Sequence, residues 1–74
     1  MKKYALTTLA GEKIDDCRSY GDAIANAAFD AMVNDDEVRI VEDGFTVPNE
    51  LTESELAAVN AKLAAKGLRA SLQE

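Results

Sequence analysis

The chain has 74 residues, 30% of them charged, with a net charge of −6 and no histidine. That length allows one small domain, which needs good packing or association to be stable, and the 47% apolar fraction argues against general disorder. No apolar run approaches the roughly 18 residues of a membrane span; neither a membrane anchor nor a signal peptide after Lys2-Lys3 is expected, and a single Cys17 without a disulfide partner suits a reducing, cytoplasmic setting.

In chain order, MKKYALTTL (1–9) is dense in β-favouring residues. Tyr4, Leu6 and Thr8 alternate with Ala5, Thr7 and Leu9, which predicts a strand. Gly11 supplies a turn, and Glu12–Asp16 reads as a short second strand closing a hairpin, or else simply as the loop into the helix. Ser19–Val33 is an alanine-rich amphipathic helix and the expected anchor of the core. Ile24, Ala28 and Met32 form its apolar ridge, widened by Tyr20, Ala27 and Ala31, while Asp22, Asn26 and Asp30 form the opposite, wet stripe. Ser19 is the expected N-cap and Asn34 the stop. Phe29 sits at the margin beside Asp22, either covering the edge of the core or standing out as an anchor for a partner.

Glu37–Glu42 predicts a strand with Val38 and Ile40 on one face and Arg39 and Val41 on the other. Asp43-Gly44 matches a two-residue hairpin turn, and Phe45–Val47 reads as a return strand stopped by Pro48. Thr52 and Glu55 make a capping box between the staple residues Leu51 and Leu56. Leu56, Val59 and Leu63 then draw the stripe of a second helix, ended by Gly67 with Leu68 against Leu63. Asn60, next to that stripe, is expected either as a buried amide with a backbone partner or as a polar edge of the core. Leu68–Leu72 alternates as a last strand.

The order predicts a small α+β two-layer sandwich: an antiparallel sheet with two helices on one face, ferredoxin-like βαββαβ. A ββαβαβ variant, with 44–48 as mere connection, is the competitor. The whole chain, 1–74, is one domain, with no repeat or low-complexity segment.

The chemistry is mostly exclusion. Without histidine there is no Ser–His–Asp or Cys–His site, and Asp15 and Asp16 oppose thiolate formation at Cys17. The four glycines are scattered and build no phosphate loop. The acid clusters lack the alternating ligands of a calcium loop. No enzyme, cofactor or metal is therefore expected. Charge is layered along the chain: residues 14–60 carry −10 and each flanking part +2. An acidic middle repels nucleic acid and anionic membranes and attracts basic protein surfaces.

The first functional expectation is a non-catalytic module that binds a basic protein partner, with no direct nucleic-acid or membrane contact. Its sharper form is an inhibitor that presents carboxylates where phosphates would lie on a nucleic-acid-binding protein. The candidate surface is Asp22, Asn26, Phe29, Asp30, Asp35, Asp36 and Glu37. In gross character, as a small acidic α+β domain, the chain resembles phage-encoded inhibitors such as anti-CRISPR proteins, although no motif carries the likeness. The alternative is a small structural or self-associating subunit, a homodimer paired through an open sheet edge or through an uncovered sheet face presenting Tyr4, Phe45 or Val41.

Overall fold

The computed structural model describes residues 1–31 and 37–73. Its elements are β1 (Lys2–Thr8), a 3₁₀ turn (Cys17–Tyr20), α1 (Gly21–Asp30), β2 (Arg39–Val41), β3 (Gly44–Val47), α2 (Glu53–Ala64) and β4 (Leu68–Leu72). The strands lie in the order β2-β3-β1-β4, every neighbouring pair antiparallel. This is the βαββαβ, ferredoxin-like arrangement, and the return strand 45–47 is a full member of the sheet. No described helix is long and apolar enough to cross a membrane.

The expected strand at Glu12–Asp16 is not formed. Lys13 makes only a single bridge to Thr7, while the Ile14 N–H donates to the Leu6 carbonyl at 3.1 Å and the Thr8 N–H to the Glu12 carbonyl at 2.8 Å. Gly11, at a φ of 93°, turns the chain back on itself there. The segment therefore fills the space beside the end of β1 without becoming a strand, and the ββαβαβ alternative falls with it.

Ser19 does not cap α1. The Asp16 carboxylate accepts the Arg18 N–H at 3.0 Å and starts the 3₁₀ turn, which runs straight into α1. A helix already begun by such a turn has fewer orphan N–H groups to satisfy, and Tyr20 at the junction makes no side-chain cap. At the other end Asp30 is the last helical residue and Ala31 the cap, short of the expected Val33. Val33 itself, the Met32 end of the apolar ridge and the Asn34 stop lie outside the described residues.

The hairpin is present, but its turn falls one residue earlier than Asp43-Gly44. Val41 pairs with Gly44, so Glu42 and Asp43 occupy the two central positions, and β2 is trimmed to three residues. Gly44 is therefore a strand residue with no positive φ. Its missing side chain has a steric reason: a Cβ would run into the Tyr4 carbonyl oxygen on β1.

Tyr4 and Phe45, candidates for an uncovered face, are fully buried. They are cross-strand partners on the helix side of the sheet, with rings stacked at 5.3 Å and 15°, an arrangement contributing about 0.5–1.5 kcal/mol beyond burial. The Tyr4 hydroxyl accepts the Leu51 N–H at 2.5 Å, so the ring packs in the core and its polar tip holds the entrance to α2. Burial pushes this hydroxyl's pKa up, the Leu51 donor pulls it back, and Glu50 and Glu55 add to the rise. Leu6, Ile24, Val47, Val59 and Leu63 complete the fully buried centre.

α2 follows the sequence closely. Thr52 and Glu55 exchange both capping-box bonds, at 3.2 and 2.8 Å, and Gly67 takes a φ of 73° with its N–H on the Ala64 carbonyl. Asn60 has the backbone partner foreseen for it: its amide donates to the Ala70 carbonyl at 3.0 Å, and its oxygen accepts the Ala70 N–H at 2.7 Å. In β4, Gly67 and Gln73 bond toward β1, so by alternation Ala70 points its backbone outward. Asn60 thus takes the place of a neighbouring strand in the middle of that edge.

Three substitutions test these contacts. Asn60→Leu strips both bonds from Ala70 and is expected to cost about 1–3 kcal/mol, read as a lower urea midpoint. Gly44→Ala forces β1 and β3 apart and is expected to cost roughly 2 kcal/mol or more, while Gly67→Ala, strained only in φ, costs about 1 kcal/mol.

Candidate binding surfaces

The outer arc of α1 gathers four of the seven expected residues. The inner side of the helix is committed to the core by Ile24, Ala27 and Ala28, all buried. With about 100° per residue, that leaves Asp22, Asn26, Phe29 and Asp30 facing outward, and all four are exposed. Phe29 does not cover the core: 54% of it is open to solvent, the most exposed aromatic side chain among the described residues. It lies within the wet stripe, two turns along from Asp22.

Asp30 is less available than the sequence implies. It sits at the negative end of the α1 dipole, where a carboxylate is disfavoured, and Lys62 of α2 forms an ion pair with it. Both partners are about half exposed, so the pair contributes no more than about 1 kcal/mol. At the other end of the arc, Ser19, Tyr20, Asp22, Ala23 and Asn26 line a shallow cleft of about 440 Å³ with Lys66 across from them. Lys62 of α2 and Lys66 just beyond its end thus border the acidic stripe, and sequence reasoning missed them because helix pairing brings together residues more than thirty positions apart. Glu37 is exposed in the segment entering β2, and nothing brings it to the α1 arc. Asp35 and Asp36 lie outside the described residues.

A second surface was not foreseen. On the face of the sheet away from the helices, register places side chains in cross-strand rows. Arg39, Thr46 and Lys3 form one row, and Lys13, Thr7 and Arg69 another. Within each row the two cations are two strands apart, about 10 Å, and the rows are separated by four residues of β1, about 13 Å. Between them lies the small-residue row of Val41, Gly44, Ala5 and Ser71. Carboxylates gather at its Lys13 corner, where Asp15 and Glu42 border a depression with Asp43. Asp43, at the hairpin turn, bridges the rows at 2.7 Å from Lys3 and 3.1 Å from Lys13. No described carboxylate reaches Arg39 or Arg69. The legible signal was the alternation itself: every cation of β1, β2 and β4 on this face occupies an out-facing strand position, but only register shows them as neighbours.

The remaining chemistry is quiet. The buried Cys17 thiol points at the Ile14 carbonyl, 3.5 Å away. Burial pushes its pKa up, and Asp43, Asp16 and Asp15 add to the rise, which suppresses nucleophilic thiolate. Among the described residues no group of three or more acidic or cysteine side chains converges as a metal site.

Comparison with known proteins gives no relative: no family model, no curated protein and no solved structure matches the chain.

The Asp43 bridge sets a pH signature. Hydrogen bonds from Lys3 and then Lys13 hold the Asp43 carboxyl below its ordinary value, and its bond raises Lys13. A lowered carboxylate pKa stabilises the fold fully above the unfolded value, about 3.9, and that contribution is lost as pH falls through the folded value. The stability gap between wild type and Asp43→Asn is therefore expected to be flat near neutrality and to close below about pH 4. Thermal unfolding across pH measures it, and added salt should narrow the gap at neutral pH.

Proposed function

We propose that the protein is a non-catalytic binding module that docks a basic protein surface through the outer arc of α1. The observation that carries this reading is Phe29, more than half exposed beside Asp22 and Asn26 on a helix whose other side is fixed in the core. An exposed aromatic ring ringed by polar groups has the make-up of an interface hot spot. The carboxylates steer a basic partner and set its register, while the ring supplies desolvated contact area. The cleft running from Phe29's stripe to Tyr20 and Asp22 gives the partner a concave rim to enter.

In its sharper form the module is an inhibitor of a nucleic-acid-binding protein, with Asp22 and its neighbours standing where phosphates would lie. The overall charge of −6 supports this form. Lys62 and Lys66 restrict it, since Lys62 already engages Asp30. Self-association is the weaker reading. Asn60 occupies the middle of the β4 edge, β2 is only three residues long, and two copies meeting sheet to sheet would bring like-charged rows together.

The test is comparative capture from the native host. Phe29→Ala is expected to weaken retention of the specific partner by on the order of thirtyfold, and Asp22→Asn by a smaller factor that shrinks in high salt. Both should leave the thermal midpoint within a few degrees of wild type, because the side chains are exposed. Equal retention of the same partner by wild type and Phe29→Ala would refute the proposal.

A further inference from the structure

The cationic rows of the open sheet face are unexplained by the α1 surface, which lies on the opposite side of the molecule. In a protein of net charge −6, four of its eight basic residues converge on one flat face, where Asp43 pairs with Lys3 and Lys13, and Asp15 and Glu42 lie with it at the Lys13 corner. The Asp43 bridge accounts for Lys3 and Lys13 but not for Arg39 and Arg69. Arg39 and Arg69 make no described ion pair, and an uncovered sheet face could be filled with neutral polar residues at equal stability. From this charge complementarity we infer that the open sheet face is a second docking surface, whose occupant is an acidic polypeptide segment laid across the strands.

The geometry selects that chemistry. Asp43 shows what the face does with a carboxylate: Lys3 and Lys13, one from each row, close on it from both sides. The same spacing recurs toward β4 at Arg69 and toward β2 at Arg39, neither of which has an ion-pair partner among the described residues. A segment crossing the middle row passes over Val41, Ala5 and Ser71, none of which projects far enough to hold it off. Carboxylates spaced along it then fall between the rows, as Asp43 does.

A nucleic acid strand is the other anionic polymer to weigh, and this face suits it poorly. Sequence-tolerant binding of single strands depends on aromatic rings for the bases to stack upon. The two aromatics of the sheet, Tyr4 and Phe45, are turned to the other side and fully buried. Only the charge term would remain, acting against the acidic bulk of the molecule.

The inference does not rest on the α1 reading, and its test is separate. The full chain is titrated, at low ionic strength and with amide resonances observed, with a short peptide of alternating Glu and Ser. A Gln-for-Glu peptide and an oligothymidylate of matching charge serve as comparisons. Resonance shifts are expected at Ala5, Thr7, Thr46 and Ser71 and not along α1 or α2. Replacing Arg39 and Arg69 together by Ser is expected to weaken binding by on the order of tenfold, while replacing both by Lys restores most of it. Asp43→Asn, which releases two lysines, is expected to bind the acidic peptide more tightly than wild type. A merely structural role for Asp43 would not produce that gain. Shifts that map to the helices, binding unchanged in the Ser variant, no gain in Asp43→Asn, or tighter binding of the oligothymidylate than of the peptide would each overturn the inference.

Discussion

The fold hangs on Tyr4. It occupies the central strand, its ring stacks on Phe45 across the ladder, and its hydroxyl takes the Leu51 N–H at the entrance to α2. One side chain thereby joins the sheet, the hydrophobic staple and the second helix. Because the ring must be covered, the helix layer lies on that side of β1. Every alternate residue of the four strands is then committed to the other face. The position of the cationic rows is a consequence of where Tyr4 points.

This arrangement separates charge in a way the net value conceals. The helix layer presents Asp22 and Asp30 with an exposed ring between them, and the sheet presents Lys3, Lys13, Arg39 and Arg69, with Asp43 bridging the two lysines. Layers pack about 10 Å apart, close to the screening length at physiological salt. Each face therefore presents its own local sign to solvent, and the small plug at Asn60 closes the middle of the β4 edge to strand pairing.

The parts legible in the sequence are those decided by neighbours in the chain. Thr52, Glu55 and Gly67 announced α2 because capping and the left-handed turn involve residues within one helical turn of one another. The sheet's strands, and the βαββαβ order, followed from alternation and spacing. What failed was non-local. Alternation divides a strand into two faces but does not say which is covered, so it leaves open which of Tyr4, Phe45 and Val41 faces away from the helices. Gly44 was read as a turn glycine, whereas its reason is the Tyr4 carbonyl forty residues away in the chain. Ser19 lost its capping role to Asp16 because a 3₁₀ turn preceded the helix. For the candidate surface, the α1 stripe of Asp22, Asn26 and Asp30 is visible from helical period alone, whereas that period leaves Phe29 at the margin, either covering the core or exposed. The Lys62 pair and the rows across the sheet required helix pairing and strand register.

The central claim, that Tyr4 ties the sheet to α2, is tested most directly by amide hydrogen exchange at Leu51. Leu51 lies outside any regular element, and the Tyr4 hydroxyl is the described partner of its N–H. In wild type this amide should exchange as slowly as those of the β1–β3 ladder. In Tyr4→Phe, which keeps the ring and removes the hydroxyl, protection should fall at Leu51 far more than at the ladder. A Leu51 amide that exchanges in wild type as fast as an exposed loop amide would contradict the account.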